Sequence, residues 1–153
     1  MGKLSEELFI DNHYVELGTV RKEFVDFFNT HGMNGLVAEN IPIVFWEDRI
    51  FHTERHKKDF FSDVLYRLCF EEIPQIIFIP DYISIHPNRK DSISFIKDYS
   101  ESHINVAIRV SFEKLSYRTM YPIIDATLTH YLDKENAWKV SYDEEGMPII
   151  VEK

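Results

Sequence analysis

Apolar side chains alternate with polar or small ones from Ile104 to Phe112: Ile104, Val106, Ile108, Val110 and Phe112 share one parity, Asn105, Ala107, Arg109 and Ser111 the other. A period of two is that of a strand with one face in a core and one facing outward. Shorter alternations mark Tyr82 to His86, through Ile83 and Ile85, and Ser92 to Lys97, through Ile93 and Phe95, with Lys97 closing the strand on the apolar parity. Tyr117 to about Thr129 reads as a long extended segment in which Pro122 implies an edge or a bulge. Polar connections at Pro87 to Asp91, Glu113 to Ser116 and Asp133 to Asn136 separate these segments, and the acidic run Asp143 to Gly146 precedes a short apolar tail, Ile149 to Val151.

Upstream the period is helical. Phe60, Phe61, Val64, Leu65, Leu68 and Cys69 trace one stripe and predict a helix from about Thr53 to about Phe70. Thr53 suits the N-cap and Glu54 the positive end of the dipole, so that His52 precedes the helix and His56 lies in its first turn. Phe24, Val25, Phe27 and Phe28 predict a short amphipathic helix ended by His31-Gly32. Gln75 to Ile79 adds a helical turn, residues 8 to 20 form an extended or irregular lead-in, and Ile43 to Phe51 is β-prone with a turn at Glu47-Asp48. Helices first, then four strands joined by short turns, make an α+β domain: N-terminal helices packed on one face of a four-stranded antiparallel meander.

Composition narrows the classes. A chain of 153 residues, 44% hydrophobic, fits one domain spanning 1–153 with its own core. The single cysteine, Cys69, excludes an internal disulfide and falls on the predicted buried stripe. No apolar run approaches the ~20 residues of a membrane helix, and the start of the chain lacks a basic region followed by an apolar one, so a cytoplasmic protein without a membrane partner is expected. A net charge of -9 argues against a general nucleic-acid binder. The charge is uneven: residues 1–48 carry 3 basic and 9 acidic side chains, residues 49–97 carry 8 and 7, and residues 98–153 carry 6 and 10. The middle third alone is not acidic, which is compatible with a local anion site on an acidic body.

That third holds the densest chemistry, His52-Thr-Glu-Arg55-His56. One reading is a helix start with ordinary polar residues, His56 being a satisfied histidine at the core edge. A zinc reading, prompted by the four-residue histidine spacing, needs a Glu directly after the first histidine, where Thr53 stands, and no Cys or His pair elsewhere supplies further ligands. No metal and no cofactor are therefore expected. On the outward face of the clearest strand, Arg109 among small neighbours leaves room for an anion.

In order along the chain, the His52 to His56 opening, Ile79-Pro80-Asp81-Tyr82-Ile83, Phe95-Ile96-Lys97, Val106-Ala107-Ile108-Arg109-Val110 and Tyr117-Arg118-Thr119-Met120-Tyr121-Pro122 resemble the phage branch of the barnase, EndoU, colicin and RelE-like (BECR) nuclease superfamily. The resemblance covers about residues 40–135 and leaves 1–40 as a helical lead-in. It implies helices on a four-stranded antiparallel sheet and a metal-independent RNase, toxin-like and associated with phage or mobile elements. Its implied site is His52, Arg55 and His56 from the helix start, Lys97 and Arg109 from the sheet, and Thr119 or Thr127 with His130 from the last strand. His56, Lys97 and Arg109 are then expected in one cleft, with His56 or His52 as base, Lys97 and Arg109 clamping phosphate and His130 as acid. The implied partners are an RNA substrate, tRNA among the options, and an antitoxin or immunity protein. Two alternatives stay open: a catalytically inactive domain of the same shape that binds protein, and an unrelated structural or ligand-binding domain.

Overall fold

The computed structural model describes residues 2–100 and 102–152. Eight strands form one mixed sheet: β1 (Tyr14–Thr19), β2 (Pro42–Trp46), β3 (Tyr82–Ile85), β4 (Ser92–Tyr99), β5 (Ser102–Ser111), β6 (Lys114–Ile123), β7 (Ala137–Tyr142) and β8 (Pro148–Val151), in the order β1-β2-β6-β5-β4-β3-β7-β8. The expected meander is its centre, since β3, β4, β5 and β6 pair antiparallel in sequence order. The expectation of four strands falls short because each edge is extended. The lead-in supplies β1, hairpinned to β2, and the tail supplies the β7–β8 hairpin. β2 meets β6 in parallel, and only through Ile43–Leu115 and Val44–Ser116.

One face carries the main core. Ile83, Ile93, Phe95, Ile104, Val106, Ile108, Val110, Leu115 and Tyr117 point into it, together with Ile43 and Phe45. Against them pack α1 (Lys22–Phe28), with Phe24 and Phe28 edge-on to Phe95, then α3 (Asp63–Glu71) and α4 (Ile73–Phe78). The chain leaves α1 through a turn whose Gly32 holds φ 137, a conformation that favours glycine, as the His31-Gly32 ending anticipates.

The predicted helix from Thr53 to Phe70 is in fact three pieces. Helix α2 runs Arg49–Glu54, a 3-10 turn follows at Lys57–Asp59, and Phe60 is extended at φ -78, ψ 152 before α3 begins. The restart is local chemistry: the Ser62 hydroxyl accepts the Leu65 N–H at 3.0 Å and caps α3. The buried face of α3 is Leu65, Tyr66, Cys69 and Phe70, leaving Phe61 and Val64 72% and 76% exposed. His52 thus lies inside α2 and His56 beyond it. Thr53 is no cap; it is fully buried, donating to the Arg49 carbonyl (2.9 Å) and accepting from the Tyr117 hydroxyl (2.6 Å).

A second correction concerns the last long segment. Strand β6 ends at Ile123 and residues Asp125–Asp133 form helix α5, so Thr127 and His130 are helical and not on a strand. Asp125 in the first turn suits the helix dipole, and Leu128 is the only buried residue of α5, too weak an apolar stripe to announce a helix. α5 also breaks the expectation of helices on one face. Asp125 bonds His103, whose strand parity is that of Asn105, Ala107 and Arg109, so α5 lies over the opposite, open face. Among the described residues no helix is long and apolar enough to cross a membrane.

Candidate active site

The open face is floored by small side chains. Register aligns Ser84, Ser94, Ala107 and Thr119 in one row and Ser92, Arg109 and Ser116 in the next. With no bulk to fill it, the face is hollow between α2 and the β3–β4 connection. A cleft of about 540 Å³ opens there, lined by Ser92, Ala107, Thr119 and Tyr121 from the sheet, Arg49, His52, Arg55 and His56 from α2 and the turn after it, His86 and Arg89 from the connection, and Arg118. Arg118 owes its place to a β-bulge. Ala107 pairs with Thr119 but Ile108 with Tyr117, so Arg118 has no opposite number and the parity of β6 flips there. Because β2 leaves β6 after Ser116, the β6 edge beyond is open, and Arg49 fills it: its Nε and Nη2 donate to the Arg118 carbonyl at 2.8 and 2.5 Å. This fork ties α2 to the bulge and turns His52, Arg55 and His56 toward the open face.

The lining holds four guanidiniums, three imidazoles and no carboxylate, on a protein of net charge -9. Acidic groups stand just outside it: Asp91 is 3.8 Å from Arg118 Nη1 and 3.5 Å from Arg109 Nε. Cations crowded in this way discourage further positive charge. The Arg49 charge, then desolvation and Arg55, push the His52 pKa below its ordinary value, and burial, then Arg89 and Arg118, do so for His86. Both imidazoles are thereby neutral at pH 7. His86 Nδ1 accepts the Asn88 N–H at 3.0 Å, which places the proton of the neutral ring on Nε2. His56 Nδ1 faces the Asp59 carboxylate at 3.5 Å and its ring packs 5.4 Å from that of Tyr121. Burial raises the Tyr121 pKa, keeping the phenol protonated. Arg118 Nη1 and Thr119 Oγ1 are buried with no hydrogen-bond partner among the described residues. Buried donors left unpaired on a cleft floor are costly unless a ligand takes them. Among the described residues no three His, Cys, Asp or Glu side chains group to hold a metal ion, and a cleft without carboxylate is a poor home for Mg²⁺.

The sequence model described as phage-Barnase-EndoU-ColicinE5/D-RelE like nuclease3 (PBECR3) matches residues 33–130, well over half of the chain. The chain belongs to this nuclease family. All the lining residues, from Arg49 to Tyr121, fall inside the PBECR3 match, whereas β1 and the β7–β8 hairpin fall outside it. A nuclease family implies a nucleic-acid substrate. No match is found among curated proteins or among solved structures.

Within the PBECR3 domain the structure brings together His52, Arg55 and His56, with Thr119 on the floor between them and the sheet. Arg109 projects from the same face but lines an adjoining hollow, joined to the cleft through Arg49 and Arg118. Lys97 has the core-side parity and is held by the Ile79 carbonyl (3.1 Å) and Asp81 (3.8 Å), away from the cleft. Thr127 and His130, carried onto α5, are not among the lining residues. Arg49, His86, Arg89, Arg118 and Tyr121 line the cleft without having been singled out. Arg118 and Tyr121 belong to a segment already marked by Pro122 as irregular, and Arg89 to a polar connection rich in charge. His86 closes an alternating strand and carries no signal of its own.

Proposed function

We propose that the chain is an endoribonuclease that cleaves RNA, tRNA included, by attack of a ribose 2′-hydroxyl on the adjacent phosphate, without a metal ion. The observation that carries this reading is the gathering of four arginines and three histidines in a carboxylate-free cleft of an acidic protein that belongs to a nuclease family. His52, kept neutral by Arg49 and Arg55, takes the 2′-hydroxyl proton. The oxygen attacks phosphorus, and the negative charge gathering on the non-bridging oxygens is met by Arg55, Arg89 and Arg118 and by the neutral Nε2–H of His86. His56, oriented by Asp59 and Tyr121, protonates the departing 5′-oxygen. The products are a 2′,3′-cyclic phosphate and a 5′-hydroxyl. The roles first assigned to Lys97, Arg109 and His130 pass on this reading to groups that line the cleft.

The test is cleavage of total RNA and of tRNA in excess EDTA, with end-group analysis. Turnover that persists and leaves cyclic-phosphate ends is expected. Loss on chelation with recovery in Mg²⁺ would move the chemistry to a metal-assisted class, and absence of cleavage by wild type would remove the enzyme reading. A second reading, a domain that binds a protein such as an antitoxin or immunity partner, draws on exposed Phe61, just before α3, and Val64 and Leu68 along one side of it.

A further inference from the structure

The hollow that adjoins the cleft is built of different parts. It measures about 310 Å³ and is lined by Trp46, Asp48, Arg49, Arg109, Ser116, Tyr117 and Arg118. Its first two arginines in chain order differ in their contacts: Arg49 is committed to the Arg118 carbonyl, whereas the Arg109 side chain is 62% exposed and, among the described residues, pairs with Asp91 at 3.5 Å. Trp46 ends β2 on the open face. Ile43 and Phe45 point into the core, so Val44 and Trp46 point the other way, and Val44 stands beside Ser116 in the row that holds Arg109. The indole is 47% exposed and leans on Tyr14, equally exposed, at 5.1 Å and 54°. A large aromatic surface on the rim of a cationic groove serves no core: Tyr14 steadies one side of the ring and water meets the rest.

We infer that this hollow is a subsite for an unpaired nucleotide flanking the scissile phosphate of single-stranded RNA, with Trp46 stacking on its base and Arg109 meeting its phosphate. The inference rests on the ribonuclease reading for the neighbouring cleft. Continuity supports it: Arg49 and Arg118 line both spaces, so a strand whose reacting phosphate lies over Thr119 can carry its next nucleotide to Trp46 without leaving the basic wall. Stacking requires a base freed from its neighbours, which a duplex cannot offer and a loop or single strand can. Asp48, on the same rim, presents a carboxylate whose two oxygens can accept the adjacent N1–H and N2–H of guanine, where uracil offers a single N3–H, so it favours guanine over uracil.

Fluorescence gives a direct test, because the other tryptophan, Trp138, is only 8% exposed. The probe is a single-stranded pentamer of mixed sequence with every 2′-oxygen methylated, which cannot be cleaved. Saturable quenching is expected with wild type, and no quenching with the same sequence in a duplex. Trp46→Phe should abolish the quenching and keep most of the affinity. Trp46→Ala should weaken binding on the order of tenfold with an unchanged thermal unfolding curve, and Arg109→Gln by a few-fold. Unquenched binding by wild type, or a Trp46→Ala protein that binds the pentamer as wild type does, overturns the subsite even if wild type cleaves RNA. Quenching and Trp46-dependent affinity in a wild type that cleaves no RNA uphold a nucleotide site at Trp46 and remove the ribonuclease reading. Failure to bind the pentamer by a wild type that cleaves RNA removes the subsite alone.

Discussion

Two groups of histidines occupy the open face of the same sheet and live in opposite surroundings. At one end His52 and His86 stand among arginines, and both are held below the ordinary histidine pKa. At the other end His103 is clamped between carboxylates: Nδ1 lies 2.5 Å from Asp98, and Nε2 bonds Asp125 at the start of α5. Burial pulls the His103 pKa down, but the hydrogen bonds to Asp98 and Asp125 outweigh it and leave it raised. An imidazolium with both N–H groups donated is a finished structural joint. A neutral imidazole facing a cleft with unpaired donors still has a bond to make. The surroundings, and not the residue type, separate a part that holds the fold from a part that can do chemistry.

The largest test of this contrast is exchange of effects. His52→Ala is expected to lower kcat by about 10²–10⁴ with an unchanged thermal unfolding curve. His103→Gln should do the reverse, lowering the melting temperature and leaving kcat near wild type. Equal loss of stability in both would end the distinction. Next in size is salt. If Arg55, Arg89, Arg109 and Arg118 meet phosphates, the logarithm of single-strand affinity should fall against that of salt with a slope of roughly -3, and Arg89→Ala should reduce it by about 0.7. A slope near zero would mean that the wall does not meet RNA.

Stability against pH should show the two ends pulling in opposite directions. The folded pKa of His103 is raised, so its contribution is complete below the unfolded value near 6.5 and is lost as pH rises through the folded value. His52 and His86 are lowered, so they cost stability as pH falls from about 6.5 through their folded values. His103→Gln should lower the melting temperature most below about pH 6.5 and flatten the fall above it; a fall above about pH 6.5 as steep as in wild type would refute the clamp. The smallest effect is kinetic. The acid limb of kcat/KM should lie below the ordinary histidine range, and Arg55→Gln should move it upward only part of the way, since Arg49 is the larger influence and remains in place. A limb that stays put would take the base role away from His52.

The meander was legible because its central strand obeys one rule, apolar toward the main core and small or polar away, and Ile104 to Val110 keeps it without a break. The cleft was only half legible. His52, Arg55 and His56 are close in sequence, so a short motif reveals them. Arg118 is hidden by the bulge: Tyr117, Thr119 and Tyr121 share a parity in the sequence, yet Tyr117 is core while Thr119 and Tyr121 line the cleft. No period can forecast that flip. The break after α2 had a local sign, Ser62-Asp63, overridden in a reading that followed hydrophobic period alone. α5 had almost none, since Leu128 is its single buried residue. β1 meets β2 across α1, and β7 docks on β3 from the far end of the chain, pairings set by tertiary contact that a local pattern does not encode.

The brief parallel contact between β2 and β6 bears on the order in which the protein assembles. β3 to β6 are joined by short turns and need little loop closure to meet, whereas Val44 must find Ser116 across most of the meander's length. α2 follows directly from β2 and lies against the β6 edge only once that pairing exists. The expected sequence of events therefore raises the floor first and the arginine wall last. A chain opened at that seam keeps its central strands and lacks the arginine wall.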